Sequence, residues 1–137
     1  MATLLAFDYG LKRVGVATGE ETLKSAHPLT TLENNPELFQ KILALTVEWR
    51  PCRFILGEPK SQEGGQTQMT RAVHGFAAKL QKEFKIPIDF VDERYTSLAA
   101  ESLLKEMGAH FARHKGKVDA LSAQIILQTW FENEESA

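Results

Sequence analysis

The chain has 137 residues, 43% hydrophobic and 25% charged, with a formal net charge of −2. That length suits one domain over residues 1–137 with a core of its own, and the composition excludes a disordered segment. The apolar runs are too short to cross a bilayer, and the near-neutral balance counts against a protein that coats nucleic acid through a broad basic field.

The opening Met-Ala-Thr-Leu-Leu has no basic residue ahead of its apolar ones, so no signal peptide is expected. Thr3–Phe7 predicts a strand that closes on Asp8. Alternation puts Leu4, Ala6 and Asp8 on one face and Leu5 and Phe7 on the other. Both faces are apolar, so the strand is expected at the centre of a sheet. Tyr9-Gly10-Leu11 turns the chain, and Val14–Thr18 runs back antiparallel. Gly15 inside that strand suggests a bulge or a close backbone approach. A third strand is expected over Ser25–Leu32, completing a meander.

Asn35-Pro36 predicts a helix start, with Asn35 as cap and Pro36 as first helical residue. Leu38, Ile42, Leu45 and Trp49 follow at helical spacing, and Pro51 ends the helix. The lone cysteine, Cys52, excludes an internal disulfide and fits a reducing cytoplasm. Arg53–Gly57 predicts a buried strand, Lys60–Gln68 a polar loop, and Met69–Phe84 a second helix. Ile88–Val91 is a further strand, ending on Asp92-Glu93-Arg94. Thr96 or Ser97 caps an expected helix that closes at Gly108. Ala109–Gly116 reads as a basic loop, and a last helix is expected from about Val118 to Phe131, apolar on enough of its surface to pack on the sheet. The acidic tail from Glu132 is expected to fray.

The order βββαβαβαα predicts a mixed five-stranded α/β sheet with helices on both faces, the first, fourth and fifth strands being parallel. Asp8, Glu58 and Asp92-Glu93 then lie at strand ends along one edge, and Asp119 lies in the first turn of the last helix. Small residues at Ser122 and Ala123 would let that helix approach the sheet. Carboxylates gathered in one cleft repel each other unless a hard divalent cation, Mg²⁺ or Mn²⁺, joins them. Two such ions promote phosphodiester cleavage. Lys12, Arg13, Arg94, Arg113, Lys115 and Lys117 could hold a phosphate backbone. Asp92 and Glu93 point to opposite faces by alternation, so one of them is expected beside Asp8, and Glu93 is favoured. The four histidines do not pair at zinc-ligand spacing.

Three motifs carry a resemblance: FDYGLKRVGVA at Phe7–Ala17, VDERYTS at Val91–Ser97 and KVDALSAQIIL at Lys117–Leu127. With GEPKSQEGG at Gly57–Gly65, Arg71 and Phe76, they cover nearly the whole chain in order. The chain resembles the YqgF/RuvX family of Holliday junction resolvase-like proteins, also described as pre-16S rRNA nucleases. The resemblance implies a ribonuclease H-like fold and a divalent-metal nuclease of the bacterial cytoplasm. It carries Asp8, Asp92, Glu93 and Asp119 over as catalytic acids, with Asp8, Glu93 and Asp119 as metal ligands. The family more often has an apolar residue where this chain has Glu58, which reads as an extra ligand or, the favoured reading, a tolerated surface acid.

The function expected is therefore metal-dependent cleavage of structured nucleic acid, with 5′ processing of pre-16S rRNA ahead of junction resolution. A nucleic-acid-binding module without catalysis is the competing class. A phosphotransferase of the actin and hexokinase type, which shares the strand-DxG turn, would need a second domain. The partner expected is an rRNA precursor or branched DNA, without a membrane, for a monomer or weak homodimer. Tyr95 and Thr96 are candidates to read a 2′-hydroxyl by location alone.

Overall fold

The computed structural model describes residues 2–93 and 115–136, with side chains over 119–134 in the last segment. The expected helix after Thr96, and Arg94, Tyr95, Thr96 and Arg113 with it, lie outside the described residues.

Five strands form one sheet: β1 (Thr3–Tyr9), β2 (Arg13–Glu20), β3 (Ser25–Glu33), β4 (Arg53–Glu58) and β5 (Ile88–Asp92). Their spatial order is β3-β2-β1-β4-β5. The first three make an antiparallel meander, and β1, β4 and β5 run parallel. Each strand runs one or two residues beyond its apolar stretch, because pairing continues where side chains have already turned polar.

Alternation along β1 divides the core in two. Leu5 and Phe7 join Phe54 and Leu56 of β4 on one face. Against them pack Leu38 and Ile42 from α1 (Leu38–Trp49) and Val73, Phe76 and Leu80 from α2 (Gln68–Phe84). Leu4 and Ala6 join Ala17, Ile55 and Val91 on the other face, under Ala123, Ile126, Leu127 and Trp130 of α3 (Lys115–Ser136). β1 is thus covered on both sides, as its continuous apolar run requires. Each fully buried side chain of this size contributes about 1.5–3 kcal/mol.

Two helices, α1 and α3, have boundaries that differ from the expected ones. α1 starts at Leu38, not at Pro36. The Asn35 side chain accepts the Glu37 N–H at 3.0 Å, and its carbonyl accepts the Leu38 N–H at 3.0 Å. Asn35 and Pro36 therefore form a turn that leads into the helix. α3 starts at Lys115, ahead of Val118, and continues through the acidic tail to Ser136. Gly116 falls in the first turn, outside the helix interior where the entropic cost of glycine is largest. Glu132 and Glu134 are good helix formers, which carries the helix past Phe131.

α2 has a capping box the sequence did not advertise: the Thr67 hydroxyl accepts the Thr70 N–H, and the Thr70 hydroxyl accepts the Thr67 N–H. The Thr70 hydroxyl also donates to the Pro59 carbonyl, tying the preceding loop to the helix.

Candidate active site

Asp8, the penultimate residue of β1, lies on the α3 face, directly opposite Gly15 of β2. A Cβ at Gly15 would overlap the Asp119 carbonyl group. The first turns of α3 therefore lie on the bare backbone of β2, one strand away from Asp8. This is the close approach that Gly15 suggested in sequence, and the sheet side of the contact is glycine as much as the helix side is small. Ala123, one turn further along, is fully buried.

Arg13 begins β2 on the same face, two residues before Gly15. Its Nε donates to Asp119 Oδ2 at 2.7 Å. The turn between β1 and β2 is held by Asn34, whose Nδ2 donates to the Gly10 carbonyl at 2.8 Å and whose N–H donates to the Lys12 carbonyl at 2.9 Å. Asn34 was not singled out in sequence. Its signal is weak, a polar residue just past the end of a strand. Lys12 is exposed on this turn.

Glu93 follows β5 and reaches the same face. Its carboxylate lies over Gly57 of β4, where a Cβ would clash with Glu93 Oε1 and stand 2.6 Å from Ile126 Cδ1. Burial pushes the Asp8 carboxyl up to about 6, and the negative charge of Asp119 adds to the shift. Burial likewise pushes Glu93 up to about 7, with the charges of Asp8 and Asp92 adding to it. Asp8 thus stands electrostatically between Asp119 and Glu93.

Strand parity sorts the remaining acids away from this group. Glu58 and Asp92 are register partners on adjacent strands, and both follow residues on the α3 face. They therefore belong to the α1/α2 face. There Glu58 is bonded to His74 of α2 and paired with Lys60 at 3.1 Å. Burial acts to raise the Glu58 carboxyl, but hydrogen bonds and charge from His74 and Lys60 hold it below the usual glutamate range. The sequence expectation grouped Glu58 with Asp8 along one sheet edge. Those strand ends are neighbours, as expected, but their side chains leave on opposite faces, so Glu58 does not join Asp8. Asp92 faces away from Asp8 for the same reason.

Lys115 and Lys117 lie in the first turn of α3, and their side chains are outside the described residues. Asp89 is an acid that sequence reasoning passed over. It accepts from Trp130 Nε1 at 3.0 Å and from Arg53 at 3.1 Å, pinning α3 to β5 at the far end of the same face.

Three hard carboxylates on one face, two of them shielded from water, are a donor set suited to a hard divalent cation. Among the described residues no three acidic, histidine or cysteine side chains stand close enough to enclose an ion as they are arranged. Asp119 faces Arg13 instead.

A family model described as RuvX, Holliday junction resolvase, matches residues 2–133. The chain is 48% identical over 135 residues to a protein of Dechloromonas aromatica described as "Putative pre-16S rRNA nuclease", covering 97% of this chain and 92% of that one. It is 44% identical over 132 residues to a Thiobacillus denitrificans protein of the same description, covering 95% and 91%. In structure it is similar to T. thermophilus RuvC in complex with a Holliday junction substrate, with a TM-score of 0.64 over 100% of this chain and 98% of that one. At 14% identity that likeness speaks for the fold, which is the ribonuclease H-like fold expected from the sequence motifs.

Proposed function

The chain belongs to the RuvX family, and from that premise we propose that it is a divalent-metal-dependent endonuclease that processes the 5′ end of pre-16S rRNA. The observation that carries the reading is the delivery of Asp8, Glu93 and Asp119 to one sheet face by β1, the end of β5 and the first turns of α3. These three side chains would hold Mg²⁺ or Mn²⁺. A bound divalent cation supplies Lewis-acid polarisation of the scissile phosphate and a more acidic water.

The chain's own residues do the rest. α3 and the sheet partly screen Asp8 and Glu93 from water, which strengthens the charge interactions there. Lys12 and Arg13 at the β1–β2 turn offer cations to the phosphates on either side of the cut. Asp92 belongs to the opposite face and is assigned no direct role.

The relatives' description favours an rRNA precursor as substrate. The family model's description favours branched DNA, which is the second reading. No described helix is long and apolar enough to cross a membrane, and a cytoplasmic monomer or weak homodimer fits the reading.

The test is incubation of the full chain with RNA carrying the 5′ leader of 16S rRNA, and separately with a four-way DNA junction, in Mg²⁺, Mn²⁺ or chelator. Shortening of the leader that needs the cation and is lost in Asp8→Asn is the expected result. Cleavage retained in chelator or by Asp8→Asn overturns the mechanism. Binding without cleavage makes the protein a binding module, and cleavage of the junction alone makes it a resolvase.

A further inference from the structure

The Arg13–Asp119 pair joins one of the three site carboxylates to a cation across 106 residues of sequence. Its backbone anchors are fixed. Arg13 starts a paired strand, and Asp119 sits where the α3 backbone rests on Gly15. Its side chains are not enclosed: Arg13 is 40% exposed and Asp119 25%. Among the described residues Arg13 reaches Asp119 through Nε alone, without a second parallel bond. Both side chains can therefore rotate apart while strand and helix stay in place.

A divalent cation entering beside Asp8 and Glu93 would draw Asp119 as its third carboxylate and repel the guanidinium. A guanidinium set loose at the site's rim matches the geometry of a phosphate. We propose that Arg13 is the resident counter-ion of the metal-free acid site and exchanges Asp119 for a substrate phosphate when the cation binds. This rests on the reading of the site as a metal-dependent nuclease. It makes Arg13 a positioning residue with two partners used in alternation, and it accounts for a site whose three acids are present on one face but not gathered.

The experiment titrates Mn²⁺ into the full-length parent, Arg13→Gln and Arg13→Lys by calorimetry without nucleic acid. A second arm measures the salt dependence of binding to the 16S 5′-leader RNA in Ca²⁺ and in EDTA. Removing the competitor for Asp119 should tighten Mn²⁺ binding in Arg13→Gln by about twofold to fivefold, the range expected for one partly exposed ion pair. Arg13→Lys, which keeps the charge and the fold, should fall between. The RNA salt slope of Arg13→Gln should drop by just under one in Ca²⁺ and match the parent in EDTA, where Arg13 is held by Asp119.

A parent that binds no Mn²⁺ overturns the nuclease reading and this exchange with it. A parent that binds Mn²⁺, with Arg13→Gln binding no tighter or losing the same slope in Ca²⁺ and EDTA, overturns the exchange alone. Arg13 would then be a fixed structural partner of Asp119.

Discussion

Asp8 and Asp119 both belong to the proposed acid site, yet their surroundings differ. Asp8 is shielded by burial and repelled by Asp119, so its charged form is disfavoured in the fold. Asp119 repels Asp8 but is paired with Arg13 at 2.7 Å. Replacing each by its amide should therefore separate them. In chelator at pH 8, Asp8→Asn relieves a shielded charge and should gain about 1 to 2 kcal/mol, the common trade between an acid site and stability. Asp119→Asn relieves the same repulsion but strands Arg13, so its gain should be smaller. Thermal melting of the two variants and the parent decides it. A lower melting temperature for Asp8→Asn would show that its carboxylate has a stabilising partner.

At the scale of elements, the site depends on how closely α3 seats on β2. Gly15→Ala places a methyl group against the Asp119 backbone, where no rotamer change gives relief. The helix must lift, and the expected loss is about 2 to 4 kcal/mol. Gly75 in α2 is the internal contrast, since nothing lies within 4 Å of a Cβ there. Gly75→Ala should stabilise by about 0.5 to 1 kcal/mol through helix propensity alone. Urea denaturation of both variants measures the difference, and equal midpoints would mean that α3 is not seated through Gly15.

The same elements show what was legible in the chain. Strand positions and faces followed from a period of two. That rule alone puts Asp8 with Leu4 and Ala6 and separates Asp92 from Glu93, whereas the preference for Glu93 rests on the strand breaking at that point. Glu58 was grouped with Asp8 because the rule was applied within each strand and not carried from one strand to its neighbour. The start of α1 was misplaced because Asn-Pro marks a turn and a helix cap equally well. The Arg13–Asp119 pair has no local signal: it exists only once β2 and α3 are in contact, and no spacing in the sequence encodes that.

For the whole molecule, the raised carboxyls fix how stability varies with pH. The ordinary values are 3.8 for Asp8 and 4.5 for Glu93, and the fold moves them to about 6 and about 7. In that window the native state holds more protons than the unfolded chain. Stability must then fall as pH rises. Without divalent cation the protein should lose on the order of 2 kcal/mol between pH 4 and pH 8, after allowance for screening at the partly open Glu93. Saturating Mg²⁺ should flatten the loss, because a ligand bound only to the native state offsets it. Denaturant titrations across that range, with and without Mg²⁺, are the check. A metal-free stability that climbs steadily toward pH 8 would contradict the arrangement of acids described here.

The two-faced core has one more consequence. The chain contains two tryptophans, and the sheet separates them. Trp49 packs in the layer under α1 and α2, and Trp130 lies 6% exposed in the layer under α3. Each layer therefore carries its own fluorophore. With Trp49 changed to Phe, emission reports on the helix that supplies Asp119. With Trp130 changed to Phe, it reports on the opposite wall. An event that lifts α3 from the sheet dims one lamp and leaves the other lit, so the seating of α3 can be followed by light alone.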